Sequence, residues 1–212
     1  DGTDAPYELN ITFVDALLDP QSPYDDRHRQ RFLASQSIML SLQGIPGIYF
    51  HCLVGSPNDQ QGVAESGHNR RINRHKYDLD GLRSATAVGT FQRNVLTEYQ
   101  RLLTIRGEQS AFHPDARQQV LVIKNPAIIG WKRTSQDQEV IVLANVSSLV
   151  QIVEFDEFDP DRDGDDNVSE RVDLLESHPA SASPSSIPLA VATIKLAPYQ
   201  VRWLSRVVQA GS

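Results

Sequence analysis

The texture of the sequence changes once, at Phe112-His113-Pro114, and that change restricts the fold more than any other feature. Before it, apolar residues recur at helical spacing or form one short run of the buried-strand kind. After it, short β-rich runs cover 120–124, 128–133, 140–145, 150–155, 192–196 and 201–207, separated by turn residues. That order predicts an α/β part followed by an antiparallel all-β part. The expected division is 1–108 and 109–212.

The first part begins with an extended segment in which Leu9, Ile11 and Phe13 alternate, broken at Asp19-Pro20 and Pro23. A helix is predicted to start near Tyr24 or Asp25, where Asp25 and Asp26 suit its positive end, and to bury Leu33, Met39, Leu40 and Leu42. Gly44 stops it, and Ile45-Pro46-Gly47-Ile48-Tyr49-Phe50 reads as a buried strand. A polar loop rich in Gly, Asn, Asp, Arg and His is expected over 51–80, longer than a connector requires and so a functional candidate. One helix is predicted over 82–106, with Leu82, Ala85, Val88, Val95, Tyr99, Leu102 and Leu103 on its apolar face.

Charge removes some function classes. With 20 Lys+Arg against 27 Asp+Glu, the formal charge of −7 and the lack of a basic block argue against nucleic acid and anionic membrane surfaces. The most apolar stretch, 37–55, is interrupted by Ser41, Gln43, Pro46 and His51, too polar for the roughly 20 apolar residues of a membrane span. A single cysteine, Cys52, closes no intrachain disulfide, and the cytoplasm is the default compartment. The chain opens on Asp1, and its one methionine, Met39, lies inside a predicted helix, as expected of a piece of a longer protein.

Several segments in one order carry a family likeness: Pro6-Tyr-Glu-Leu-Asn10; 30–50, ending Gln43-Gly-Ile-Pro-Gly-Ile-Tyr-Phe50; Arg70-Arg-Ile-Asn-Arg-His-Lys-Tyr77; Ala111-Phe-His-Pro114; and Pro198-Tyr-Gln-Val-Arg-Trp203. Together they resemble the sucrose phosphorylase group of glycoside hydrolase family 13, with its relatives acting on glucosylglycerol, glucosylglycerate or sucrose phosphate. Gly-x-Pro-x-x-Tyr is common across that family, whereas Arg-x-Ile-Asn-Arg is more specific. The resemblance implies that the chain holds the last part of a (β/α)8 barrel, with 44–50 as its eighth strand, followed by a C-terminal antiparallel β domain. Barrels of this kind carry their sites on the loops after the strands, so 51–80 should face the sugar. Alone, such a barrel segment exposes apolar faces, and 1–108 is expected to be unstable by itself.

The reaction implied is retaining: a carboxylate nucleophile forms a glucosyl-enzyme, a carboxylic acid protonates the leaving oxygen, and inorganic phosphate takes the sugar. By the same comparison the catalytic carboxylates precede Asp1, so no catalytic residue is assigned here and the 212-residue chain is expected to be inactive. Arg70 matches the family arginine that, with an aspartate, holds a glucose hydroxyl in the donor subsite, a task suited to the guanidinium fork. Without the motif it would read as a surface arginine. Tyr7 and Glu8 match the acceptor loop; sucrose phosphorylases carry glutamine where Glu8 stands, and a carboxylate there favours a neutral acceptor such as glycerol or a hexose over glycerate or a sugar phosphate. Asn73, Arg74 and His75 are read as ordering the loop, and Arg71 is given no role. His68 and His75 do not make a zinc site, because no further ligand stands at the needed spacing.

Asp159, Asp161, Asp163, Gly164 and Glu170 fit the spacing of a calcium loop. No amphipathic helices flank it and Asp166 replaces the usual apolar eighth residue, so a solvated acidic turn is the preferred reading, and structural calcium the weak one. Two other classes stay open. A hydrolase or transglucosidase of the same family would use the same donor subsite, and a non-catalytic sugar-binding β module would need exposed aromatics, for which only Trp131 and Trp203 are available.

Overall fold

The computed structural model describes residues 9–154 except 20, 22 and 23, together with 171–176, 186–187 and 193–207. The chain divides into two compact units, one of Asp1–Phe32 with Gly47–Tyr99, the other of Leu33–Pro46 with Gln100–Ser212.

Helices dominate the first unit, and most of them are started by a polar side chain. Thr12 caps α1 (Phe13–Ala16), its Oγ1 accepting from the Asp15 N–H at 3.3 Å. Asp25 does the same for α2 (Asp26–Ser41), accepting from the His28 N–H at 2.7 Å. Then follow α3 (Phe50–Leu53), α4 (Gln60–Ser66), a 3-10 turn Asn69–Asn73, α5 (Leu79–Ala85) and α6 (Phe91–Gly107). Val14, Phe32, Val54, Ile72, Val95 and Tyr99 are its buried apolar residues. Gly55 sits at φ +58°, and a Cβ there would lie 3.1 Å from Val95 Cγ1, so the chain needs glycine to pass α6.

The second unit is a sandwich. After a 3-10 turn Ser110–Phe112 come β1 (Arg117–Val120), β2 (Ile128–Thr134), β3 (Gln138–Asn145), β4 (Gln151–Glu154), β5 (Arg171–Asp173), β6 (Ser186–Ile187), β7 (Thr193–Leu196) and β8 (Val201–Val207). Six strands pair in the order β1-β2-β3-β8-β5-β6 and β4 pairs with β7, every pair antiparallel. Ile128, Ile141, Leu143 and Leu204 of the larger sheet cluster with Val153, Ile194 and Leu196 of the smaller. The other face of β3 is buried too, through Val140 and Val142, which is why its sequence is continuously apolar rather than alternating. On that face Trp203 meets Phe112 edge-on at 4.8 Å, while Trp131 Nε1 and Arg133 Nη1 donate to the Ser41 carbonyl at 3.1 and 3.0 Å, capping the end of α2. Arg106 adds a third cap, Nε donating to the Leu40 carbonyl at 2.7 Å.

Several expectations are corrected. Phe13 lies in α1 rather than in an extended run, because Thr12 supplies a cap. Leu42 is exposed, since α2 ends at Ser41; Phe32, Ala34 and Leu40 form its buried apolar positions. Residues 45–49 pair with no strand among the described residues, and Ile45, Ile48, Tyr49 and Phe50 are exposed: a strand requires a neighbour, and the run has none here. The loop over 51–80 contains α3, α4, a 3-10 turn and the start of α5. The helix over 82–106 is two, parted at 86–90, where Gly89 takes φ +89°, Val88 is 93% exposed and Thr90 Oγ1 accepts from the Arg93 N–H at 3.0 Å to start α6. Both tryptophans are buried, Trp131 at 5% and Trp203 at 0% exposure, so neither is a sugar platform. Among the described residues, no helix is long and apolar enough to cross a membrane.

Candidate functional site

Arg70 lies in the 3-10 turn Asn69–Asn73 and lines an open cavity of about 740 Å³ with Asn10, His68, Arg71, Arg74 and Lys76. Tyr7 and Glu8 lie outside the described residues, as do Asp159, Asp161, Asp163 and Glu170 of the acidic loop. The cavity nevertheless brings Asn10, two residues after Glu8, to the arginines.

Four cationic side chains, and no carboxylate, line this cavity among the described residues. Arg71 is tied down, its Nη2 lying 3.3 Å from Asp59 Oδ2 and its Nη1 donating to the Arg74 carbonyl. The arrangement gives the cavity the charge and donors to receive an anion or an oxygen-rich ligand.

The turn is held from below by Asp59, a residue on which the sequence reading placed no weight. Its Oδ1 accepts from the Gly62 N–H at 2.9 Å, capping α4, and its own N–H donates to the Ile72 carbonyl at 2.8 Å. Its Oδ2 lies 3.1 Å from His75 Nδ1. Burial pushes this carboxyl up, but the Gly62 N–H, His75 and Arg71 outweigh it, so Asp59 sits below the usual carboxylate range and stays ionised. A Cβ on Gly62 would overlap Asp59 Oδ2, so glycine there lets the carboxylate keep this position. The signal available in the sequence was Asn58-Asp59 three residues before Gly62 at the head of a polar segment, a helix start hidden by the lack of an apolar stripe in α4.

His75 and Asn73 order the loop: His75 through Asp59, and Asn73 through its carbonyl, which accepts from Tyr49 Oη at 3.1 Å. Asn58 ties a second strip of chain to the site, its Oδ1 accepting from the Thr12 N–H at 2.7 Å and its N–H donating to Asp15 Oδ2 at 2.8 Å. Between them lies a smaller, mostly apolar cavity of about 350 Å³ lined by residues that include Ile11, Phe13, Tyr49, His51, Cys52 and Asn73. Burial, then His75 and Arg71, hold the His51 imidazole below its usual range, and burial raises the Cys52 thiol, so neither is charged at neutral pH.

This fold is the closing part of a glycoside hydrolase family 13 barrel with its C-terminal antiparallel β domain. It is similar to AmyP solved with maltotriose, at TM-score 0.64 and 16% identity over 90% of this chain and 37% of that one, and to a MutB mutant solved with sucrose, at TM-score 0.56 and 14% identity over 92% and 41%. Identities that low concern the fold alone. In sequence, the chain's homologues are phosphorylases of the sucrose phosphorylase group, matched in their C-terminal regions. It is 42% identical over 150 residues to the glucosylglycerate phosphorylase of Allomeiothermus silvanus, covering 70% of this chain and 27% of that protein. To the glucosylglycerate phosphorylase of Escherichia coli K12 it is 34% identical over 206 residues, covering 96% and 33%. The chain thus spans about a third or less of the relatives it matches. No protein-family model matches it.

Proposed function

We propose that this chain supplies the donor-subsite arginine and part of the acceptor side of a retaining α-glucosyl phosphorylase, and that the substrate is an α-glucoside with an acidic aglycone of the glucosylglycerate kind. The reading is supported by identities of 34–42% to three glucosylglycerate phosphorylases, against 26–33% to three sucrose phosphorylases. The observation that carries it is the cavity in which Arg70, Arg74 and Lys76 converge, because both inorganic phosphate and a carboxylated acceptor are anions.

In this mechanism the nucleophile and the acid/base belong to sequence upstream of Asp1. Arg70 grips a hydroxyl of the glucosyl unit through glycosylation and through attack by phosphate. Phosphate is the co-substrate, and no resident cofactor or metal is required. The half-buried single cysteine Cys52 fits a cytoplasmic setting. On this reading the 212-residue chain alone has no phosphorolytic activity.

Glu8 favours the second reading, a neutral acceptor, since a carboxylate repels another. One assay separates the two: phosphate-dependent release of glucose 1-phosphate from glucosylglycerate, glucosylglycerol and sucrose by the protein that carries both this chain and the upstream carboxylates. Preference for glucosylglycerate by tenfold or more in kcat/KM is expected. Preference for glucosylglycerol or sucrose overturns the acidic-acceptor reading, and glucose release without phosphate overturns the phosphorylase reading.

A further inference from the structure

We propose that Asp59 is the positioning residue for Arg70, setting where the guanidinium can meet the sugar; the proposal rests on the phosphorylase reading given above. Arg70 stands on the exposed crest of a turn, so the point from which its guanidinium reaches out is set by how the backbone of that turn is held. Asp59 holds the segment that follows Arg70 at three points, one on its backbone and two on its side chains. Its N–H holds the Ile72 carbonyl at 2.8 Å, and its carboxylate lies 3.3 Å from Arg71 and 3.1 Å from His75. Arg71 in turn donates to the Arg74 carbonyl, which closes the turn from within. Ile72, 7% exposed, plugs the apolar side. Glycine at 62 leaves the carboxylate room to reach all of these.

The alternative is that Asp59 merely starts α4. Asparagine separates the two roles, because it caps a helix as well as aspartate but carries no charge for Arg71 and His75. In the phosphorolytically active protein, Asp59→Asn is expected to lower kcat/KM for the glucoside at least tenfold while the protein stays folded at the assay temperature. Arg70→Lys is expected to lower it about a hundredfold, and the double variant no further than Arg70→Lys alone, since a misplaced arginine and a missing one fail at the same contact. A purely structural Asp59 would instead give independent losses that multiply. Multiplying losses, or a kcat/KM within twofold of the parent in Asp59→Asn, overturn the proposal.

A second measurement uses the 212-residue chain and does not depend on the reaction. The Arg71 and Arg74 amides donate to the His68 and Arg71 carbonyls at 2.9 and 3.0 Å. Their solvent exchange by NMR should quicken at least fivefold in Asp59→Asn, while the Val63 and Gly67 amides of α4 stay within twofold. Unchanged exchange at Arg71 and Arg74 overturns the positioning role. Should the parent protein release no glucose 1-phosphate, the functional reading fails and this exchange measurement judges Asp59 by itself.

Discussion

Asp59 and Asp173 are both buried aspartates that accept a backbone N–H, from Gly62 at 2.9 Å and from Leu175 at 3.0 Å, yet their environments push them in opposite directions. Asp59 has Arg71 and His75 within 3.3 Å and stays below the usual carboxylate range. Asp173, 0% exposed, has Arg202 at 3.7 Å, and Arg202 is shared with Glu176 at 3.0 Å. There burial dominates and raises the carboxyl to about 6. The distance to a cation, more than burial itself, decides which state a buried carboxylate adopts. Glu139 in the same sheet shows that the β unit can do what the site does: burial works against its charge, but Arg171 at 2.6 Å, Arg206 at 3.0 Å and Lys132 at 3.6 Å hold it below its usual range.

The sharpest way to break the comparison is to delete the well-partnered carboxylate. Glu139→Ala leaves the buried Arg171 guanidinium without that partner, and should cost about 3–5 kcal/mol of stability. Trp131 and Trp203 are the two tryptophans of the chain and both lie in the β unit, so the urea midpoint of intrinsic fluorescence reads this unit directly. A loss under about 1 kcal/mol would mean that Glu139 is solvated rather than buried among cations.

The poorly partnered carboxylate predicts a pH dependence of the opposite sign to that of Asp59 and Glu139. Because the folded-state value of Asp173, about 6, exceeds the ordinary 3.8, the folded chain binds the proton more tightly. Its contribution is fully present below about pH 4 and is lost as pH rises through 6. The stability of the parent relative to Asp173→Asn should therefore fall by roughly 2–2.5 kcal/mol between pH 4 and pH 7, followed by fluorescence in urea. For Asp59 and Glu139 the folded-state values are lowered, and their contributions vanish only as pH falls below the ordinary carboxylate range. A parent-minus-variant difference for Asp173→Asn that is flat or rises with pH would show Arg202 pairing with Asp173 more closely than 3.7 Å.

A smaller effect is expected from Gly62→Ala, which places a Cβ where Asp59 Oδ2 lies. Displacing the carboxylate should cost about 1–2 kcal/mol, the scale of a lost helix cap, and accelerate amide exchange through α4. Fluorescence should not see it, because no tryptophan lies in the first unit.

The same contrast explains which parts of the molecule were legible in the sequence. β2, β3, β7 and β8 were legible to within a few residues, because apolar side chains at alternate or consecutive positions face a core. β5 was not, since its inward residues are Arg171 and Asp173 and only Val172 is apolar, so the burial pattern runs opposite to hydrophobicity. The segment around Arg70 stood out in the sequence through Arg-x-Ile-Asn-Arg, but its structure did not. It folds through caps and ion pairs between Asp59, Gly62, Arg71 and His75, which leave no period in the sequence. The exposed run at Ile45, Ile48, Tyr49 and Phe50 has the composition of a buried strand, but a strand is a property of pairing that no single segment contains.

The smallest expected change in stability belongs to Arg70, and it tests whether the turn was built for the arginine or by it. Arg70 is exposed on the crest, and Asp59, Arg71, Ile72 and His75 hold the turn around it by bonds of their own. Arg70→Lys should therefore shift the stability of the chain by no more than about 0.5 kcal/mol, as for an exposed substitution, and leave Arg71 and Arg74 amide exchange unchanged. Lysine keeps the charge but loses the planar fork, so the loss of activity in the phosphorolytic protein isolates geometry from electrostatics. A charge-assisted hydrogen bond of about 1.5–3 kcal/mol corresponds to a loss of roughly ten- to over a hundredfold in kcat/KM. If Arg70→Lys instead unfolds the turn while sparing activity, Arg70 is a structural residue, and on the proposed phosphorylase reading Arg74, which shares its cavity, is the next guanidinium to test.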